Sequence, residues 1–171
     1  LFLGGPTESF MNKRNIAVTL ECFVRKGNTY LMLHRSPQKR ILPDVWMAPG
    51  GHREFNEGLF ECARREVFEE TGLKIKNLRI KATGNAYLKD IDEEFFFHFI
   101  VADYAGGRLK QKVDDGEFVW LTKNQILKLI NLLAELKQVL RIVLDPKRQI
   151  ISFTAVYSKG NTLERFSLEG S

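Results

Sequence analysis

Strand-like segments interleaved with two amphipathic helical stretches predict an α/β/α sandwich around a mixed β-sheet. Three observations carry that prediction. Runs rich in β-branched and aromatic residues recur along the chain, and apolar stripes of helical period occur near 59–67 and 126–143. The 171 residues also suffice for one domain with a sizeable core. There is no internal repeat, no low-complexity tract and no apolar run long enough to span a membrane.

The elements follow in order. Ile16 to Val24 reads as a first strand, Lys26-Gly27-Asn28 as a turn and Tyr30 to Arg35 as a second strand. Ser36 to Asp44 is a polar, basic loop with two prolines. Val45-Trp46-Met47-Ala48 then leads into the turn Pro49-Gly50-Gly51. Leu59, Ala63 and Val67, with Phe60 beside them, form a helical stripe that Gly72 caps. Lys76 to Tyr87 and Glu93 to Tyr104 are two further strands, turning at Asp90 and Asp92, and Gly106-Gly107 breaks the chain. Glu117 to Leu121 is a short strand. Thr122 is an expected N-cap for a second long helix, with Ile126, Leu129, Ile130, Leu133, Leu136, Val139, Leu140 and Val143 as its stripe.

At the C-terminus, Gln149 to Tyr157 and Thr162 to Leu168 flank Ser158-Lys159-Gly160-Asn161 as a β-hairpin extension. Such a hairpin can cover an open sheet edge, cover a site or join two subunits. The expected organisation is an N-terminal extension at 1–13, a central domain at 14–146 and the hairpin at 147–171, packed on the same domain or on a partner subunit. Met11 to Arg14 reads like a chain start, which makes Leu1 to Phe10 an appended or native extension. That stretch lacks the basic leading region and full apolar core of a signal peptide.

The chemistry concentrates in Gly51 to Leu73, where Arg65-Glu66-Val67-Phe68-Glu69-Glu70 lies on the first helix. At about 100° per residue, Glu69 and Glu70 flank Glu66 at roughly −60° and +40°. Glu66 and Glu70 form an i,i+4 like-charge pair, which a divalent cation would turn from repulsion into coordination. A Glu-rich helix is commonly only a solvated face, so the wider spacing decides. It runs Gly51, five residues, Glu57, seven residues, Arg65-Glu66-Val67, one residue, Glu69-Glu70, one residue, Gly72-Leu73. This resembles the signature of the Nudix hydrolases at every specified position, a coincidence on the order of 10⁻⁷ by chance.

The resemblance implies a Nudix-type sandwich and Mg²⁺ (Mn²⁺ as the alternative) held by Glu66, Glu69, Glu70 and the carbonyl of Gly50. It implies an Arg65–Glu57 salt bridge bracing the loop against the helix. The water-activating base is expected to be Glu66 or a carboxylate on a later loop: Glu117 first, with Asp114 and Asp115 as alternatives. The implied reaction is cleavage of a phosphoanhydride in a nucleoside diphosphate linked to another group. A nucleoside triphosphate such as 8-oxo-dGTP, cleaved to monophosphate and pyrophosphate as in MutT-like enzymes, leads. No proline lies where ADP-ribose enzymes carry one, the tract of NADH-cleaving members is missing, and Tyr87 falls short of the diadenosine polyphosphate position. ADP-ribose, a nucleotide sugar or an RNA 5′ end stay as alternatives. A non-catalytic sensor or interaction module predicts a damaged signature, and here the acidic positions are intact.

The rest of the composition agrees. A net charge of +5 suits an anionic partner, and Arg35, Lys39 and Arg40 stand where they can steer phosphates. Trp46 and His52 adjoin the glycine turn and join Arg35 as candidate substrate contacts. No nucleic-acid module motif is visible. Cys22 and Cys62, 40 residues apart, have no metal or redox spacing and read as buried thiols of a reducing, cytoplasmic protein. The chain is expected to be a monomer or homodimer.

Overall fold

The computed structural model describes residues 16–40, 42–158, 160 and 162–169; the expectations for residues 1–15 lie outside them. The elements are β1 Ile16–Lys26, β2 Thr29–Arg35, β3 Trp46–Met47, β4 Gly50–His52, α1 Leu59–Thr71, β5 Leu73–Leu88 and β6 Glu93–Gly107. They continue with β7 Lys112–Val113, β8 Gly116–Thr122, α2 Lys123–Ile126, α3 Ala134–Val143, β9 Ile151–Ser158 and β10 Thr162–Glu169. One sheet runs β10-β9-β5-β6-β1-β2-β8-β7, with β3 added to β2 and β4 to β1. The pairs β1–β6 and β5–β9 are parallel and the other named pairs antiparallel, so the sheet is mixed as expected.

Strand alternation sends side chains to opposite faces and creates two cores. Leu20, Cys22 and Val24 of β1 face Cys62, Ala63 and Val67 of α1. Phe23 and Phe99 face Leu136, Val139, Leu140 and Val143 of α3, whose spacing places all four on one helical stripe. Helices on both faces make the α/β/α sandwich. Thr19 and Glu21 share the parity of Phe23 and so point to the α3 face.

The sheet forks at its centre. β1 pairs with β2 only at Arg25 and Lys26, beyond which β1 takes β4 and β2 takes β3. The fork inserts the glycine turn beside Thr19, Leu20 and Glu21.

The second helix departs from the expectation. Thr122 does cap a helix, its hydroxyl accepting the Gln125 N–H at 3.3 Å, but α2 is a single turn and 127–133 is not α-helical. Trp46 N–H donates to the Asn131 carbonyl at 2.8 Å, and Leu133 N–H donates to the Trp46 carbonyl at 3.0 Å. Those bonds draw the backbone into a bridge with β3, and Ile130 is left 85 % exposed instead of joining the stripe. In α1, Phe60 turns outward and Cys62 occupies the buried face.

The C-terminal hairpin joins the same sheet through β9 and β5. Phe153 is buried between the rings of Phe99 and Phe166, at centroid distances of 5.9 and 5.6 Å. Both cysteines are buried and unpaired, and burial pushes each thiol up to about 12.

Candidate active site

The helix that carries the carboxylates is fixed at both ends. At its start, the Glu61 carboxylate accepts the Gly58 N–H at 2.8 Å. At its end, Gly72 adopts φ +74°, and its N–H donates to the Phe68 carbonyl at 2.8 Å. A Cβ at Gly72 would also lie 2.7 Å from the Arg108 carbonyl oxygen. Both the left-handed backbone and the close approach therefore require glycine.

Arg65 organises the acidic cluster. Its guanidinium grips Glu57 through two bonds of 2.8 and 2.9 Å, the fork geometry that makes arginine–carboxylate pairs strong. It also donates to Glu66 at 2.8 Å, to Glu69 at 3.3 Å and to the His52 carbonyl at 3.0 Å. These hydrogen bonds hold Glu57 down at about 2 and raise Arg65 further above its ordinary value. The loop 52–57 is thereby tied to the helix.

Glu70 turns the other way and accepts the Gly50 N–H at 3.1 Å. Burial lifts its carboxyl to about 7; the Gly50 bond and Arg35 oppose the rise, and repulsion from Glu66 and Asp115 adds to it. Gly51 lies so close to Glu66 that a Cβ there would fall 2.5 Å from the carboxylate carbon. The turn and the helix thus meet at Gly50 and Gly51, with Glu66 and Glu70 against them. Among the described residues no three His, Cys, Asp or Glu side chains converge on one point, because Arg65 holds Glu66 and Glu69 while Gly50 holds Glu70. The donors nonetheless fit a hard divalent cation in kind. They are carboxylate oxygens, and the half-buried Glu70 is repelled by Glu66, a strain that positive charge between them relieves.

The later carboxylates separate. Glu117 lies opposite His34 across β8 and β2 and accepts from the Gln111 amide at 3.3 Å. Asp115 ion-pairs with Lys39, accepts the Ser36 N–H at its backbone carbonyl at 2.8 Å, and is close enough to Glu70 to raise it. Asp114 is exposed.

A cavity of about 420 Å³ opens beside this cluster. Arg35, Gly50, Gly51 and His52 line one end of it. Trp46 does not; it stacks on His34 at 4.4 Å, and His34 is fixed by Asp44 at 2.8 Å. From the turn the cavity crosses β1, β6 and β5 to β9, past Phe95, Phe97 and Leu133, to Glu135 and Tyr157.

The cavity wall holds residues the sequence did not single out, from Thr19 and Glu21 beside the turn to Glu135 and Tyr157. Glu21 is 1 % exposed; its Oε2 accepts the Ala48 N–H at 2.9 Å, while Oε1 has no partner. The Thr19 hydroxyl, also on the cavity wall, is likewise buried without one. Glu135 is 5 % exposed and accepts the Tyr157 hydroxyl. Burial raises Glu21 well above the usual carboxylate range and raises Glu135 to about 7. A carboxylate at an inward position of an otherwise apolar strand or helix stripe was the available signal.

The comparisons with known proteins agree with this geometry. A 72-residue stretch is 39 % identical to the m7GpppN-mRNA hydrolase NUDT17 of Xenopus laevis, covering 42 % of this chain and 24 % of that protein. An 86-residue stretch is 33 % identical to the 8-oxo-dGTP diphosphatase of Buchnera aphidicola subsp. Schizaphis graminum, covering 50 % of this chain and 63 % of that protein. The chain therefore spans less than two thirds of each of these relatives. In fold, a Mutator MutT protein from Bacillus halodurans superposes with a TM-score of 0.79 at 24 % identity, over 91 % of this chain and 99 % of that one. The NUDIX domain model matches residues 13–142, most of the chain, and with the signature helix and its bracing salt bridge in place the chain belongs to the Nudix family.

Proposed function

We propose that this chain hydrolyses a phosphoanhydride in a nucleoside diphosphate linked to a further group, and that its substrate is a nucleoside triphosphate of the 8-oxo-dGTP type. The products are then the monophosphate and pyrophosphate. The observation that carries this reading is the cavity joining the glycine turn to the hairpin. From β1 to β9 it crosses three strand spacings, ~14 Å, which suits one nucleoside with its phosphates at the turn. Its volume of about 420 Å³ also suits a single small ligand. The Buchnera relative named an 8-oxo-dGTP diphosphatase favours the same substrate class.

Glu66, Glu69, Glu70 and the Gly50 carbonyl would hold Mg²⁺ or Mn²⁺. When bound, such a cation neutralises phosphate oxygens and makes water a better nucleophile. The chain's own groups do the rest. Gly50 and Gly51 let phosphate oxygens approach the backbone, and Arg35 supplies positive charge on the cavity wall. Arg65, locked by Glu57, fixes the direction of Glu66. Glu66, or a later carboxylate with Glu117 first and Asp114 or Asp115 as alternatives, would accept the proton of the attacking water as the bond to the leaving phosphate breaks.

The test is a Mg²⁺-dependent hydrolysis screen with products identified by mass. It covers dNTPs, 8-oxo-dGTP, ADP-ribose, nucleotide sugars, dinucleoside polyphosphates and capped or triphosphate-ended RNA. Monophosphate and pyrophosphate from a purine triphosphate is the expected result. Preferred cleavage of an RNA end, as the NUDT17 relative's name would favour, overturns the substrate reading and keeps the chemistry. Metal binding with no turnover on any compound overturns both in favour of a sensor.

A further inference from the structure

β10 ends one side of the sheet and leaves an open edge. It pairs with β9 on its inner side, and along its outer side the main-chain N–H and C=O groups meet no further strand among the described residues. The opposite edge, β7, is two residues long. A long open edge invites another strand, and proteins commonly blunt it with proline, lysine or a bulge. β10 carries neither proline nor lysine, and its register shift lies between Leu163 and Arg165. The shift leaves Glu164 out of the ladder, where it ion-pairs with Lys89. Beyond it, residues 165–169 run in unbroken register.

Those five residues are self-complementary. Two copies of one strand that extend a sheet antiparallel are related by a twofold axis normal to the sheet, and opposed residues then share a face. The axis must therefore pass through a residue. Placed at Ser167, it opposes Phe166 to Leu168 and Arg165 to Glu169, each pair twice. The pairing with β9 shows that the faces agree. Phe166 and Leu168 lie opposite Ala155 and Phe153 and are half-buried against the α3 core. Arg165 and Glu169 lie opposite Val156 and Ser152 on the other face and are exposed. Arg165 has no ion-pair partner among the described residues, and Glu169 accepts the Ser152 hydroxyl. Within one chain these two charges stand ~13 Å apart along the strand, where salt screens them. Their attraction is realised only between chains, where the backbones of opposed residues approach to about 5 Å. An axis at Phe166 would instead set Glu164, out of register, against Leu168.

We propose that β10 is a dimerisation edge, pairing antiparallel with β10 of a second copy about a twofold axis at Ser167 and joining the two sheets into one. The pairing supplies roughly four to six main-chain hydrogen bonds. It covers the exposed sides of Phe166 and Leu168 and closes two Arg165–Glu169 ion pairs. The contact is small, so the dimer is weak and depends on concentration. The hairpin thereby gains a role outside residues 13–142, the part of the chain that matches the family model.

The experiment is sedimentation velocity of the full chain from about 1 μM to about 1 mM. Wild type should pass from the mass of one 19.7 kDa chain toward that of two. R165E and E169R should each raise the dimer Kd at least about tenfold, and R165E/E169R should restore it, because the swapped charges again oppose. S167C should form a disulfide-linked pair under mild oxidation, since residues on the axis stand within the ~4.4–6.8 Å that a disulfide spans. T162C, outside the ladder, should not. The substituted positions are exposed, and circular dichroism checks that each variant is folded. A wild type that stays monomeric at the highest concentration overturns the proposal. So does a dimer indifferent to both single reversals, a double reversal as weak as the single ones, or equal cross-linking at 162 and 167. Nucleotide turnover takes no part in these measurements, so the dimer and the hydrolase reading stand or fall separately.

Discussion

Arg65 commits one guanidinium to Glu57, Glu66, Glu69, the His52 carbonyl and the Cys62 sulfur, and the candidate site depends on that commitment. With Glu57 held at about 2 against an ordinary 4.5, the sign of the pH effect is fixed. The folded carboxyl is the stronger acid, so its contribution is present above about 4.5 and is lost as the pH falls through the folded value toward 2. Thermal unfolding of E57Q beside wild type should therefore show a gap in Tm at pH 6 that closes toward pH 2. A gap unchanged across that range would mean that the salt bridge does not brace the loop. This residue-scale detail was largely legible in the sequence. Glu57, Arg65, Glu66, Glu69 and Glu70 lie within one turn and one helix, so local spacing alone sets their neighbours. Glu21, Glu135 and Tyr157 were not legible, because β1, α3 and β9 meet only through the sheet. The stacking of Trp46 on His34 was not legible for the same reason, since His34 comes from another strand.

At the scale of elements, the strands and α1 follow from alternation, turn residues and the capping glycine. The break between α2 and α3 does not, since neither proline nor glycine marks it. The competing backbone partner is Trp46, some eighty residues earlier in the chain. Two substitutions separate the continuous-helix expectation from the observed break. Leu140→Ala removes a fully buried side chain from the α3 core and should cost ~2–5 kcal/mol. Ile130→Ala, at an 85 % exposed position, should change stability by less than about 0.5 kcal/mol. Urea unfolding of both variants measures the difference. Equal losses would restore Ile130 to the helical stripe.

At the scale of the whole molecule, one cavity runs from the glycine turn beside α1 to Glu135 at the start of α3 and Tyr157 of β9. The α1 side supplies carboxylates braced by cations, and the α3 side supplies carboxylates buried without them. The second arrangement has a signature in stability. Glu135 is raised to about 7, so the folded state holds a proton that the unfolded chain releases above 4.5. Wild-type stability should fall as pH rises between those values, and E135Q should not share that loss. Differential scanning calorimetry should find E135Q melting a few degrees above wild type at pH 8 and level with it at pH 5. A higher wild-type Tm at pH 8 would show that the buried carboxylate is already satisfied.

The claim on which the rest depends is that Glu69 and Glu70, on the helix end facing the glycine turn, serve phosphoanhydride hydrolysis. It is tested most directly by Mg²⁺-dependent turnover of 8-oxo-dGTP by wild type and by the E69Q/E70Q double variant, with pyrophosphate release as the readout. Wild type should release pyrophosphate, and the variant should lose at least about 10³-fold of that turnover with its fold intact by circular dichroism. Full turnover by the folded double variant would contradict it.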